Sequence, residues 1–385
     1  MNITQVTHHD LDGYGASTIV GAYAPQGKIV HVPRYADVGP VVESELKRLG
    51  TATDSELLIL TDLGLEDVAV KFIRSFAALN RRRDAAAQHR LIVLDHHASS
   101  LDRLAAHDIL PSSDDGALRT FDLGDPNVTV LIDTSRSATS MAYEHRALYA
   151  TREVEADTAA RLATMVAAID AVDLWQKPLP TFTGGLVLDE VFWDNVSNLV
   201  PLGHPLHDRF VNALLLAVAG LLEQGQTPAE IERQSGIIRT QVLDGLLADD
   251  PGDDRKLTTR MRIARVLARS RELFSPLSDG TLLSFGMDPG TFQRVSDIIM
   301  ETGGATRVVN VQRTGSVSFR SNDETALDGA RKFRGGGHRD AAGGKLPSGS
   351  AFSLADACAQ VETTLNPPAP DPAASPFAAL KNWKA

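Results

Sequence analysis

The sequence predicts an α/β protein, with an N-terminal doubly wound, mainly parallel sheet and a smaller C-terminal α/β domain built on a mixed sheet. Three observations predict it. Short continuous apolar runs alternate with helical patterns through the first 135 residues, as in a parallel sheet covered on both faces. The run Asp-Asp-Pro-Gly-Asp-Asp at 249–254 breaks the chain as a linker would. A second alternation of strand and helix follows it. At 385 residues, the chain has the length of two or three domains.

The elements follow in order. Residues 3–7 read as a strand and 15–24 as a helix, then 28–32 as a strand and 41–49 as a helix. Residues 56–61 (Glu-Leu-Leu-Ile-Leu-Thr) read as a buried strand, 65–79 as a helix and 90–94 (Arg-Leu-Ile-Val-Leu) as another buried strand. Helices are expected over 137–149 and 155–172. The stretch 176–205 is rich in Pro, Gly and Thr and reads as a crossing loop; 206–247 reads as mainly helical. Beyond the linker, 281–286, 306–312 and 316–320 read as strands, with a helix at 289–300. The expected organisation is a first domain at 1–180, a helical insertion and linker at 181–255, a second domain at 256–365, and a flexible Pro- and Ala-rich tail at 366–385.

Composition narrows the function. Cys358 is the single cysteine, which excludes an intrachain disulfide and a cysteine-based zinc site and fits a reducing compartment. The N-terminus has no basic leader, and no apolar run reaches the ~20 residues of a membrane helix, so a cytoplasmic protein without membrane contact is expected. A net charge of −11 argues against a nucleic-acid-coating protein. The charge is uneven, however: residues 256–345 carry fifteen Lys and Arg against nine Asp and Glu. An acidic body joined to a basic segment suits a cation-binding body and an anionic ligand.

The predicted strands of the first domain end in a common chemistry. The first ends in His8-His9-Asp10-Leu11-Asp12-Gly13, the third in Asp62, the fourth in Asp95-His96-His97. In a parallel sheet these ends share the edge where ligands bind. Carboxylates and imidazoles gathered there are costly unless cations join them. His and Asp without Cys favour Mn2+ or Mg2+ over structural zinc. His8, Asp10 and Asp12 alternate at period two; they can serve one ion or be divided between two.

These three motifs, in this order, resemble those of the DHH phosphoesterases. A fourth motif of that family supplies one more aspartate, matched here by Asp173 in its Asp-Leu-Trp context, with Asp170 as the alternative. Val317-Ser318-Phe319-Arg320-Ser321 and then Gly335-Gly336-Gly337-His338-Arg339-Asp340-Ala341-Ala342-Gly343 resemble the DHH-associated C-terminal domain. The resemblance spans nearly the whole chain, while 176–255 carries no motif.

The resemblance implies two Mn2+ ions, with Mg2+ or Co2+ as substitutes. His8, Asp10 and Asp62 would hold one; Asp12, Asp62, His96 and Asp173 the other, with Asp62 bridging. Asp95 would orient the histidines and His97 would face the substrate phosphate, so that Asp62, Asp95 and His97 form the catalytic set. His97, Arg320, Ser321, Gly335, Gly336, Gly337 and His338 would bind substrate. The implied reaction is hydrolysis of short RNA or DNA oligonucleotides and linear dinucleotides to 5′-mononucleotides by water activated between the ions, as in the nanoRNases, by a monomer or homodimer. Alternatives are a cyclic-dinucleotide phosphodiesterase, a RecJ-like single-strand exonuclease and a phosphatase of 3′-phosphorylated adenosine monophosphate. A pyrophosphatase would need a Ser-Arg-Lys signature that is missing, and a non-enzymatic nucleotide sensor would be expected to have lost metal residues.

Overall fold

The computed structural model describes residues 2–25, 27–196 and 199–367. Two compact units divide the chain between Asp249 and Asp250, with Leu199–Pro201 joining the second. The expected tail at 366–385 falls almost wholly outside the described residues.

In the first unit β1 (Asn2–His8), α1 (Leu11–Tyr23), β2 (Lys28–Val32), α2 (Tyr35–Thr51), β3 (Glu56–Thr61), α3 (Asp67–Asn80), β4 (Arg90–Asp95) and α4 (Ala98–Ala106) alternate. A polar hairpin, β5 (Pro111–Asp115) and β6 (Leu118–Phe121), precedes β7 (Val128–Asp133). Five helices complete the unit: α5 (Ala138–Glu144), α6 (Ala156–Asp173), α7 (Phe182–Asn195), α8 (Pro205–Glu223) and α9 (Pro228–Leu247). The sheet order is β2-β1-β3-β4-β7-β6-β5. The first five strands run parallel, and β6 and β5 close the edge antiparallel.

Every residue of β3 is buried, because helices cover both faces and an unbroken apolar run is what such a strand requires. Val6, Leu58, Leu60, Val93 and Val130 from the sheet pack with Val42, Phe72, Ile73 and Phe76 of α2 and α3. Successive side chains alternate faces, so Leu57 and Ile59 serve the opposite side.

Three expectations change. The stretch 176–205 is not a crossing loop throughout, since α7 occupies Phe182–Asn195. Gly184 and Gly185 weaken its helical signal, yet a Cβ on Gly185 would stand 2.3 Å from the Ala168 carbonyl oxygen, so glycine lets α7 lie close on α6. The hairpin β5–β6 was unforeseen because Pro-Ser-Ser-Asp-Asp lacks strand-like apolarity. Among the described residues one helix, α8, is long and apolar enough to cross a membrane, contrary to expectation. It packs on α6 and α9 and buries Leu206, Phe210, Leu214, Leu215 and Val218.

The second unit comprises α10 (Thr259–Arg269), β8 (Ser275–Pro276), β9 (Leu282–Phe285), α11 (Pro289–Glu301), β10 (Arg307–Val311), β11 (Ser316–Ser321), α12 (Ala326–Lys332), β12 (Gly336–Gly337), β13 (Ala341–Lys345) and α13 (Leu354–Leu365). Its sheet, β12-β13-β11-β10-β9-β8, is mixed: β9 and β10 run parallel and the other pairs antiparallel. Leu283, Val309, Val317, Phe319, Phe333 and Val361 form its core. The α/β class, with a mainly parallel sheet followed by a smaller mixed one, is therefore the one the sequence predicts.

Candidate active site

The polar cluster lies where the strand order reverses. After β1 the chain passes to β2 on one side, and β3 is then added on the other, so a crevice opens at the carboxyl ends of β1 and β3. Asp10 caps α1: its Oδ1 accepts from the Gly13 amide at 3.0 Å, and its Oδ2 lies 2.5 Å from His8 Nδ1. A Cβ on Gly13 would stand 2.2 Å from the His8 carbonyl oxygen, so only glycine lets α1 start this close to the strand end. Asp12, in the first turn of α1, is buried. Its carboxylate accepts from the amides of Ala138 at 2.7 Å and Thr139 at 2.8 Å, at the start of α5.

Asp62 follows β3 with φ of 57°, a left-handed conformation that costs an aspartate on the order of 1 kcal/mol. Its side chain is only 3% exposed. Oδ1 lies 3.3 Å from His96 Nε2, and Oδ2 is buried with no partner. His96 also faces Asp12 Oδ2 at 3.7 Å and, through Nδ1, Asp173 Oδ2 at 3.6 Å. Donor atoms of His8, Asp10 and Asp62 lie within 4.8 Å of one another; so do those of Asp12, His96 and Asp173, and those of Asp62, His96 and His97. Asp170 is directed elsewhere: its Oδ1 accepts from the Ser137 amide at 2.7 Å.

Asp95 is held apart from this set. One carboxylate oxygen accepts from Ser100 Oγ and the other lies 2.8 Å from His97 Nδ1. His97 Nε2 meets Tyr35 Oη at 3.2 Å, and the Tyr35 ring stacks on His8 at 5.0 Å. Sequence reasoning missed Tyr35. The signal was available, because β2 ends just before it on the same edge as β1 and β3.

The electrostatics follow from crowding. Burial, then the charges of Asp10 and Asp12, pushes Asp62 well above the usual carboxylate range. Burial raises Asp12 too, against the pull of His96. Burial and the charges of Asp12 and Asp10 push Asp173 up to about 8. Burial opposes ionisation of Asp10, but the hydrogen bond and charge of His8 outweigh it and hold Asp10 at about 2. Burial would lower His97; the Asp95 hydrogen bond and charge overcome it and raise it. Four crowded carboxylates with three imidazoles, and one buried carboxylate oxygen without a partner, fit divalent cations of the Mn2+ and Mg2+ class.

The substrate-binding candidates of the second unit are placed differently from one another. Arg320 and Ser321 line a cavity of about 700 Å3 with Arg294, Asp297, Glu301 and Asp340. Arg320 donates to the Phe319 carbonyl at 2.8 Å and lies 5.9 Å from the Phe292 ring centre. Ser321 Oγ accepts from the Ala326 amide at 2.9 Å, at the start of α12. Gly336 and Gly337 form β12 beside β13. A Cβ on Gly335 would stand 1.9 Å from the Gly343 carbonyl oxygen, so this glycine serves strand packing. His338 is exposed, and its amide donates to the Ala341 carbonyl at 2.8 Å.

No family model matches the chain. A 3′,5′-cyclic-nucleotide phosphodiesterase from Helicobacter pylori (strain ATCC 700392 / 26695) is 21% identical over 375 residues, covering 95% of this chain and 99% of that protein. The crystal structure of an uncharacterized protein from Helicobacter pylori G27 superimposes with a TM-score of 0.72 at 19% identity, covering 95% of this chain and 99% of that one; this likeness is one of fold. A pGpG-specific phosphodiesterase from Vibrio cholerae reaches a TM-score of only 0.26 at 13% identity, too poor an overlay to carry an argument.

Proposed function

We propose that the chain is a metal-dependent phosphodiesterase of the DHH type that hydrolyses short oligonucleotides and linear dinucleotides to 5′-mononucleotides. The observation that carries this reading is the pair of donor groups, His8–Asp10–Asp62 and Asp12–His96–Asp173, joined where Asp62 meets His96 at 3.3 Å. The distant relative named as a cyclic-nucleotide phosphodiesterase supports the reaction class over nearly the full length.

His8, Asp10 and Asp62 would hold one divalent cation and Asp12, Asp62, His96 and Asp173 another. Bound there, the pair would supply Lewis acidity and make water a nucleophile near neutral pH. The chain's own residues do the rest. Asp95 accepts at His97 Nδ1, which leaves Nε2 directed outward. Because Asp95 also favours the protonated ring, His97 Nε2 can donate to a phosphoryl oxygen as negative charge develops there. Tyr35 Oη, 3.2 Å from that nitrogen, occupies the place of such an oxygen until substrate arrives. Ser100 fixes the far side of Asp95 and also accepts from the Leu65 amide at 2.7 Å, so the imidazole is oriented by the scaffold.

A second reading keeps the site and changes the substrate. The relative's name favours opening of a 3′,5′-cyclic nucleotide. One assay separates the two. The protein with Mn2+ is given 5′-phosphorylated RNA dinucleotides, 20-mers, 3′,5′-cyclic AMP and pyrophosphate. Fast release of 5′-mononucleotide from dinucleotides, lost by about 1,000-fold or more in Asp62→Asn, supports the proposal. Preferential opening of cyclic AMP selects the second reading, and no Mn2+-dependent hydrolysis of any phosphodiester overturns both.

A further inference from the structure

The motif-free segment carries an aromatic side chain that the metal chemistry does not use. Trp193 lies near the end of α7. The residue before it, Phe192, is fully buried and packs 5.0 Å from the Tyr14 ring of α1. That contact fixes how α7 faces the unit, and the next residue, turned about 100° around the helix, is carried toward the surface. Trp193 is 48% exposed. Its indole is nevertheless pinned. It lies one turn after Asp189 on the same helix, and the ring stands edge-on to Phe192 at 4.9 Å. The indole centre is 6.4 Å from the ring of His9, the residue between His8 and Asp10.

Other exposed aromatic rings around the cluster are already covered. Tyr35 lies parallel on His8, tilted by only 20°. Trp175 packs against Phe182, and Lys177 Nζ sits 5.3 Å from its ring centre. Trp193 meets its neighbours at 51° and 71°, so no described ring stacks parallel on it.

We infer that Trp193 is a stacking platform for a nucleobase of the ligand whose phosphate the cluster holds. The inference rests on the nucleotide reading above and names what that reading lacks, a contact to the base from the first unit. The indole offers its open π-face, so it distinguishes ligands with a base from those without one and is indifferent to which base. An ordered indole also loses little conformational freedom on binding.

The test is calorimetric titration of the full chain, loaded with Mn2+, with 5′-AMP, 5′-GMP and ribose 5-phosphate, for wild type, Trp193→Leu and Trp193→Phe. Trp193→Leu weakens both nucleotides by about 5- to 100-fold, leaves ribose 5-phosphate unchanged, and Trp193→Phe restores most of the loss. Equal losses for nucleotides and ribose 5-phosphate, or no loss for nucleotides, overturn the inference. So does wild-type protein that binds ribose 5-phosphate as tightly as AMP, an outcome that leaves the phosphoester reading standing. If wild type binds none of the three, the nucleotide reading falls and the inference with it.

Discussion

Asp62 concentrates the cost of the site in one residue. Its backbone is left-handed, its carboxylate is buried, and one of its oxygens has no partner. A residue so placed is unfavourable until positive charge reaches it. Asp173 shows the same tension in measurable form. Its carboxyl sits at about 8 in the folded chain, against about 3.9 in an unfolded one. Between these values the unfolded chain has released the proton that the folded chain keeps, so stability falls as pH rises from about 4 to 8. Asp173→Asn removes this term. In EDTA, the Tm of Asp173→Asn should gain on wild type as pH goes from 5 to 8, by on the order of 5–10 °C. With saturating Mn2+ the order should reverse, because the variant has lost a ligand.

At the scale of elements, the strand ends were the most readable part of the sequence. Continuous apolar runs identify β3 and β4, and parallel pairing with β1 then sends His8, Asp62 and Asp95 to one edge. The same rule applies to β7, which also ends in aspartate, yet Asp133 accepts from Ser135 at 2.7 and 2.9 Å and only shapes a turn. What the sequence did not show has physical reasons. Phe333 sits in a basic stretch but is buried in the second core and offers no stacking surface. The Trp193 platform depends on α7, whose paired glycines look like a loop until α6 is seen beside them. The start of α1 gives the element-scale prediction. Gly13→Ala forces a Cβ against the His8 carbonyl and moves the cap away from the strand. We expect a loss of about 1–3 kcal/mol in denaturant unfolding and at least about tenfold weaker Mn2+ binding, since the displaced turn carries Asp10 and Asp12.

For the whole molecule, the net charge of −11 and the basic segment acquire a structural meaning. Part of the basic segment is neutralised where it lies. Arg262 pairs with Asp253 at 2.6 Å, Arg269 with Asp250 at 2.6 Å, Arg307 with Asp279, and Arg339 with Glu324 at 2.9 Å. The acidic run at 249–254 is thus partly tied to α10. Paired guanidiniums leave less free positive charge for a long polyanion, which agrees with a short ligand bound chiefly through its phosphate. The acidic excess of the first unit includes the carboxylates of the cluster, and there the central claim is decided. The direct measurement is Mn2+ binding followed by electron paramagnetic resonance on wild type and Asp62→Asn. We expect two Mn2+ per chain with an exchange-coupled signal, and loss of that coupling in the variant. Wild type that binds no Mn2+, or a variant that still shows the coupled pair, would contradict it.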